Sequence, residues 1–415
     1  MLRYNSGMKI PLLLATVLGI TTSLLAQPSP KSVTVPITLD HNRTIIDVRL
    51  TLPDGKLTRV RGWVDTGNPE LWITADLAKK LGLTLSGDPR PTLYGKERKA
   101  TTPAEVQVGG MSISLAGVKE AHAILDRESI GPGCSAEINL PATVLRSYDV
   151  VFDYPDRQFT IGPPGSITFK GTPAKATISS AGLVVVPTKI EGQIHTLTLD
   201  TGASIGLISS DLEGRWHKEH PSWPYMKGAV GAANMWGLDD EPQWELLRLP
   251  SILFGVTTLQ SVAVASFPEA DLKRYDEWAG TTAIGLLGGN AFRGSRVGID
   301  YAHSTVYLEY PPSAPPPAPD MDVVGLTLRP EPDDRYTVLA VVDVDGKPAV
   351  PGVKPGDVLL GVDGAPVTGA TMGQVWSLLG GKPGQVRKLV IERGGQRLTV
   401  DAPVHRFLWP ESKTN

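Results

Sequence analysis

Asp65 and Asp200 occur in the same kind of surroundings. The first lies in Gly62-Trp63-Val64-Asp65-Thr66-Gly67-Asn68, the second in Leu197-Thr198-Leu199-Asp200-Thr201-Gly202-Ala203-Ser204. Each time an apolar strand ends on a carboxylate, and a small hydroxyl residue and a glycine follow. That order presents the carboxylate on a tight turn at the edge of a core. Two such turns brought face to face set two carboxylates around one water. Carboxylates a few ångströms apart do not both ionise cheaply, so such a pair holds one proton between its members. A charged member that takes a proton, beside a neutral member that gives one, is the equipment of general acid–base catalysis.

Positioning two such turns calls for two similar scaffolds, and the chain repeats itself. Leu145-Arg146-Ser147-Tyr148-Asp149-Val150-Val151-Phe152-Asp153-Tyr154 lies on Phe292-Arg293-Gly294-Ser295-Arg296-Val297-Gly298-Ile299-Asp300-Tyr301 without a gap. A turn and an alternating strand follow both copies, Gln158 to Ile161 and Thr305 to Leu308. Asp153 and Asp300 are expected to cap turns at strand ends. The 44 Gly and 36 Pro, with many Val, Thr and Leu alternations, favour strands and turns. The fold class is therefore mainly β, with two homologous lobes over 33–165 and 180–310 and a crossover starting at Gly162-Pro163-Pro164-Gly165. Residues 311–319 are a proline-rich spacer, expected to be extended and semi-rigid. Beyond it, 320–405 reads as a small α+β unit: a turn, strand and turn over Val353 to Gly364, a helix around Met372 to Leu379, and two strands meeting at Gly394-Gly395.

Composition limits the alternatives. The 415 residues carry a net charge of −3, with no basic excess to neutralise phosphates, so nucleic acid is not an expected partner. Lys9, the apolar run Ile10 to Ile20 and the small residues up to Ala26 predict a leader over 1–26, and hence an exported, periplasmic or secreted protein. That run is short for a membrane span, and no membrane span is expected to persist after processing. Cys134 is the lone cysteine, which rules out an internal disulfide and reads as a buried bystander. His217 and His220 lack the carboxylate or second motif that would complete a metal site, so neither metal nor cofactor is expected.

The two Asp-Thr-Gly triplets resemble the active-site turns of aspartic peptidases, over both lobes. The second triplet, with its Ala203-Ser204, is similar to the retroviral type, and Gly285-Leu286-Leu287-Gly288 resembles the segment that braces a catalytic turn in that family. Lys354-Pro355-Gly356-Asp357 and Val362-Asp363-Gly364 resemble the turns of bacterial PDZ domains. The resemblance implies an exported aspartic endopeptidase of retropepsin-like or pepsin-like type, acting through Asp65 and Asp200 on peptide or protein substrates. The tail would bind peptide ends by strand addition. Thr66 and Thr201 would lock the turns together across a pseudo-twofold axis, Gly67 and Gly202 would let amides approach the carboxylates, and Tyr94 would sit on a flap over the cleft. Four tryptophans, Trp216, Trp223, Trp236 and Trp244, are further candidates to line that cleft. Aligning the repeats sets Ile138-Asn139-Leu140-Pro141 against Gly285 to Gly288, so the first turn is expected to be less regularly braced. The alternative reading is a catalytically inactive chain of the same fold that binds peptides or acts as a scaffold.

Overall fold

The computed structural model describes residues 32–92, 95–312 and 319–409. The leader over 1–26, the flap residue Tyr94 and most of the proline-rich spacer lie outside them. Among the described residues no helix is long and apolar enough to cross a membrane.

In the first lobe, the strand Leu57–Asp65 runs through the middle of a large sheet. It pairs antiparallel with Arg43–Thr51 and parallel with Ile138–Pro141, in a register that sets Leu140 beside Val64 and Pro141 beside Asp65. Its last four residues, Gly62 to Asp65, are all buried, as expected where a strand is covered on both faces. The second lobe repeats this arrangement. There Gln193–Leu199 pairs antiparallel with Val184–Ile190 and parallel with Gly285–Leu287, Leu199 beside Leu287.

A six-stranded sheet joins the lobes, in the order Val33–Pro36, Gln158–Gly162, Asp149–Asp153, Arg296–Asp300, Thr305–Glu309, Thr172–Lys175. Its middle pair consists of the two segments that match in sequence. Val151 and Gly298 hold the same place in the two repeats, and they face each other directly. A local pseudo-twofold axis between the matched strands therefore passes through this pair. Gly298 is a glycine because a Cβ there would come within 2.6 Å of the Phe169 ring. Asp153 and Asp300 accept from the amides of Asp156 and His303, closing the turns after their strands. The Thr172–Lys175 strand shows that the crossover itself contributes an edge to the joining sheet.

The tail folds into its own sheet, from Leu326–Pro330 at one edge to Asp322–Val324 at the other, with a helix Met372–Leu379. A capping box of Thr371 and Gln374 starts that helix. Asp357 explains its turn: the buried carboxylate accepts from the Lys354 amide and from the Arg393 guanidinium. Gly394 and Gly395 both take positive φ, as a two-residue hairpin of this type requires.

The tail packs directly on the second lobe. One buried cluster runs continuously from Ile205, Leu207, Val230 and Leu246 of the second lobe to Leu326, Leu328, Val375 and Leu379 of the tail. Arg248 of the second lobe reaches the Asp320 carboxylate at 2.9 Å and the Leu408 carbonyl. The cause is the apolar surface of lobe two, which has to be covered; that surface is assembled from separate short stretches and is not visible in any one of them.

Candidate active site

The two strands deliver Asp65 and Asp200 to the same place. Both side chains are nearly buried, 7% and 8% exposed. The threonines beside them make a reciprocal set of bonds across the lobes. Thr66 Oγ1 donates to the Leu199 carbonyl at 2.8 Å and accepts from the Thr201 amide at 3.0 Å. Thr201 Oγ1 donates to the Val64 carbonyl at 2.9 Å and accepts from the Thr66 amide at 3.3 Å. Each hydroxyl thus ties its turn to the strand that carries the opposite aspartate.

The glycines fix the separation. A Cβ on Gly67 would lie 2.1 Å from the Asp200 carboxyl carbon, and one on Gly202 would lie 2.3 Å from Asp65 Oδ1. Neither has a positive φ, so the requirement is for space rather than conformation. Each carboxyl rests against the glycine of the other turn, in van der Waals reach of backbone that only glycine leaves open.

Electrostatics separate the two acids. Burial raises the Asp65 carboxyl well above the usual range, and the neighbouring Asp200 charge raises it further; the Gly67 amide, 3.0 Å from Oδ1, opposes both. Burial also raises Asp200, to about 6, but there two amides oppose it, from Gly202 at 2.7 Å and Ala203 at 3.1 Å. The extra amide favours the charge on Asp200 and leaves the proton on Asp65.

The first brace is more regular than its sequence predicts. Ile138–Pro141 runs beside the Asp65 strand just as Gly285–Leu287 runs beside the Asp200 strand. The amide of Ala142 donates to the Asn68 carbonyl at 2.8 Å, and that of Gly289 donates to Ala203 at the same distance. In lobe two the neighbouring backbone comes so close that Gly285 and Gly288 are needed; a Cβ at Gly285 would meet Leu207 O at 2.0 Å. In lobe one the Asn139 side chain takes part of that role, accepting from the Trp72 amide at 2.7 Å and donating to the Glu70 carbonyl at 2.8 Å.

The carboxyls open into a cleft of about 720 Å³. Of the four candidate tryptophans, Trp236 and Trp244 line it, packed edge to face at 6.1 Å. Trp216 and Trp223 do not: Trp216 is core, and Trp223 packs against it and stacks on His220 at 4.3 Å. The remaining aromatic lining was not anticipated. Trp63 and Trp72 come from lobe one, and Tyr275 and Trp278 from the lobe-two helix Glu269–Ala279. This helix reaches over to lobe one, where the Tyr275 hydroxyl donates to the Gly67 carbonyl at 3.0 Å and Trp278 Nε1 donates to Glu70 at 2.9 Å. Aromatics three apart on one helical face were the available signal.

Leu85–Thr92 and Gly95–Ala100 form the hairpin on which the flap residue was expected; its tip, with Tyr94, lies outside the described residues. His217 stacks on Tyr225 at 3.7 Å, and the described residues contain no cluster of three or more metal-ligating side chains. Cys134 is buried near Trp63 and Trp72, its thiol raised by burial.

The threonine bonds make a separable prediction. Thr66→Val or Thr201→Val should each cost about 1–3 kcal/mol, because the isostere strands a buried amide and a buried carbonyl. The double variant should cost less than the sum, since both substitutions break one network. Denaturant midpoints at constant m-value read both effects; strict additivity would mean that the two hydroxyls act independently.

No protein-family model matches the chain, and no curated protein matches it. Many solved structures do match. One is the aspartic proteinase from Irpex lacteus, at 15% identity and a TM-score of 0.41, over 68% of this chain and 98% of that one.

Proposed function

We propose that this chain is an aspartic-type endopeptidase that hydrolyses peptide bonds with a water activated between Asp65 and Asp200. The observation that carries the reading is the contact of each aspartate with the glycine of the opposite turn, in a site where burial and mutual repulsion leave one proton for two carboxyls. Ionised Asp200 takes a proton from the water as it attacks the scissile carbonyl carbon. Protonated Asp65 gives its proton to the carbonyl oxygen, and a tetrahedral diol results. Its collapse breaks the C–N bond as Asp200 passes its proton to the leaving nitrogen and a diol hydroxyl returns a proton to Asp65, which regenerates the shared-proton pair. The aromatic cleft would receive the substrate's apolar side chains. The N-terminal 26 residues are proposed as an export leader, and sequencing the N-terminus of protein from its native host tests that part separately.

The acid order gives a pH profile. The working form has Asp200 ionised and Asp65 protonated. Activity should therefore rise with pH as Asp200 loses its proton near pH 6, and fall again once Asp65 ionises at higher pH. A kcat/KM profile on a short apolar peptide, with pepstatin as the competing hydroxyl-bearing ligand, is the test. An optimum on the neutral side of pH 6 and inhibition by pepstatin are expected. A profile that peaks near pH 3 and is gone by pH 5 would show that burial does not raise the pair as described, and no competition by pepstatin would count against the shared site.

A further inference from the structure

The tail's peptide-binding expectation rested on strand addition at a free sheet edge. In this chain one of the tail sheet's two edges is contacted by lobe two. Leu326–Pro330 is the outermost strand of the tail sheet, and the Asn234 side chain of lobe two bonds to its backbone on the open side. The Asn234 side chain accepts from the Leu328 amide at 2.7 Å and donates to the Leu328 carbonyl at 2.9 Å. Thr327 Oγ1 donates to the Ala229 carbonyl at 2.7 Å. Gly237 lies so close to this strand that a Cβ would meet Pro330 at 2.5 Å. The tail helix is held as well: Asp40 of lobe one accepts from Thr371 Oγ1 at 2.7 Å and from the Gly373 amide at 3.0 Å.

The segment on that edge continues into the cleft wall. Glu241, fully buried, accepts from the Trp236 amide at 2.8 Å, from the Gly237 amide at 3.0 Å and from the Asn234 amide group. Asn234 thus holds the tail strand with both its oxygen and its nitrogen, and the same nitrogen also donates to the carboxylate that positions Trp236. Trp244 follows three residues after Glu241 and packs against Trp236 inside the cleft.

We propose that the tail acts as the anchor of the Trp236–Trp244 wall, its strand edge filled in cis by residues 229–237, and that through Asn234 and Thr327 it sets how tightly the cleft holds a bulky apolar side chain of a peptide. Asn234 and Thr327 are positioning residues, since neither lines the cleft. The inference rests on the reading of the cleft as a peptide site, but not on hydrolysis taking place there.

The test uses the full chain with Asn234→Ala, Thr327→Val and Thr327→Ser, each checked for a cooperative melt. Two readouts are taken with one short peptide bearing a large apolar residue: KM and kcat in the active background, and the calorimetric Kd in an Asp200→Asn background. Thr327→Val should raise KM and Kd about tenfold with kcat within about twofold, the ratio expected for one buried hydrogen bond, and Asn234→Ala, which loses three, should raise them at least as much. Thr327→Ser, which keeps the hydroxyl, should restore both constants. Unchanged KM and Kd in folded Thr327→Val would overturn the proposal, as would a fall confined to kcat. Capture of free-ended peptides by the wild-type chain with no effect on cleft affinity would also overturn it, because the edge would then be open. If the wild type hydrolyses nothing yet the Kd shifts appear, the endopeptidase reading fails and the anchoring role stands.

Discussion

Asp200→Asn and Asp65→Asn are each expected to lower kcat/KM for peptide hydrolysis by about 10³–10⁴-fold, with the fold retained. An amide at position 200 cannot take the water's proton. An amide at 65 cannot deliver an acidic proton to the carbonyl oxygen. The double variant should lose scarcely more than either single variant, because the two carboxyls act as one unit. The fold should survive, since the amides of Gly67, Gly202 and Ala203 can still donate to the side-chain oxygen of asparagine. Stability gives an independent readout. The folded-state value of Asp200, about 6, lies above its ordinary 3.8, so its contribution is fully present below pH 3.8 and is lost as pH rises through about 6. Asp200→Asn has no carboxylate to bury, and its melting temperature should lack this part of the decline. A wild type whose stability is flat across that interval would mean that Asp200 is not held as described.

Gly67→Ala and Gly202→Ala should be nearly as damaging to activity as loss of an aspartate. The added methyl would stand 2.1 Å from the Asp200 carboxyl carbon in the first case and 2.3 Å from Asp65 Oδ1 in the second. The turns cannot easily give way, because the threonine bonds fix their backbones to the opposite strands. The carboxyl must therefore rotate or shift, which breaks its bond to the amide two residues on and moves it off the shared water. A displacement of this size should lower kcat about 10²–10³-fold, with an overpacking cost of about 1–3 kcal/mol. Gly214→Ala is the matching control: it sits in a helix with nothing within 4 Å of its Cβ, and it should be neutral or slightly stabilising. Wild-type kcat in Gly67→Ala, with the control behaving as expected, would show that the carboxyls are not in contact with the opposing turns.

The parts legible in the sequence were those with a local signature. The Asp-Thr-Gly turns and the Asp-Tyr strands are each encoded in a few consecutive residues, and the second occurrence supplied the pairing. The match of 145–154 with 292–301 anticipated two lobes. That the matched strands hydrogen-bond to each other, with Val151 against Gly298, needed the structure, because sequence similarity carries no information about which edges meet. The tail's elements were readable for the same local reason; its packing on lobe two was not. The docking surface is built from Ile205, Val230, Leu246 and other residues scattered over separate strands and turns, and the spacer of prolines suggested distance where the chain folds back.

The site's lining shows the same division. Trp236 and Trp244 were within reach of a sequence reading, but Trp216 and Trp223 look no different in composition, and only helix and strand placement separates core from cleft. Pro141 looked like a defect in the first brace because its counterpart is glycine. The compensation comes from the Asn139 side chain, whose two backbone bonds have no counterpart motif in the second repeat. Tyr275 and Trp278 lie about 75 residues beyond the second triplet in a segment that reads as an ordinary amphipathic helix; their reach to Gly67 and Glu70 is a property of how the lobes are joined.

Hydrolysis by the Asp65–Asp200 pair is tested by incubation of a mixed peptide pool with purified wild-type protein and, in parallel, with Asp200→Asn, from acidic to neutral pH, with products read by mass spectrometry. Internal cleavages by the wild type are expected, strongest on the neutral side of pH 6 and abolished by the substitution. A wild-type chain that binds peptides from the pool and leaves all of them intact, or cleavage that continues unchanged in Asp200→Asn, would contradict it.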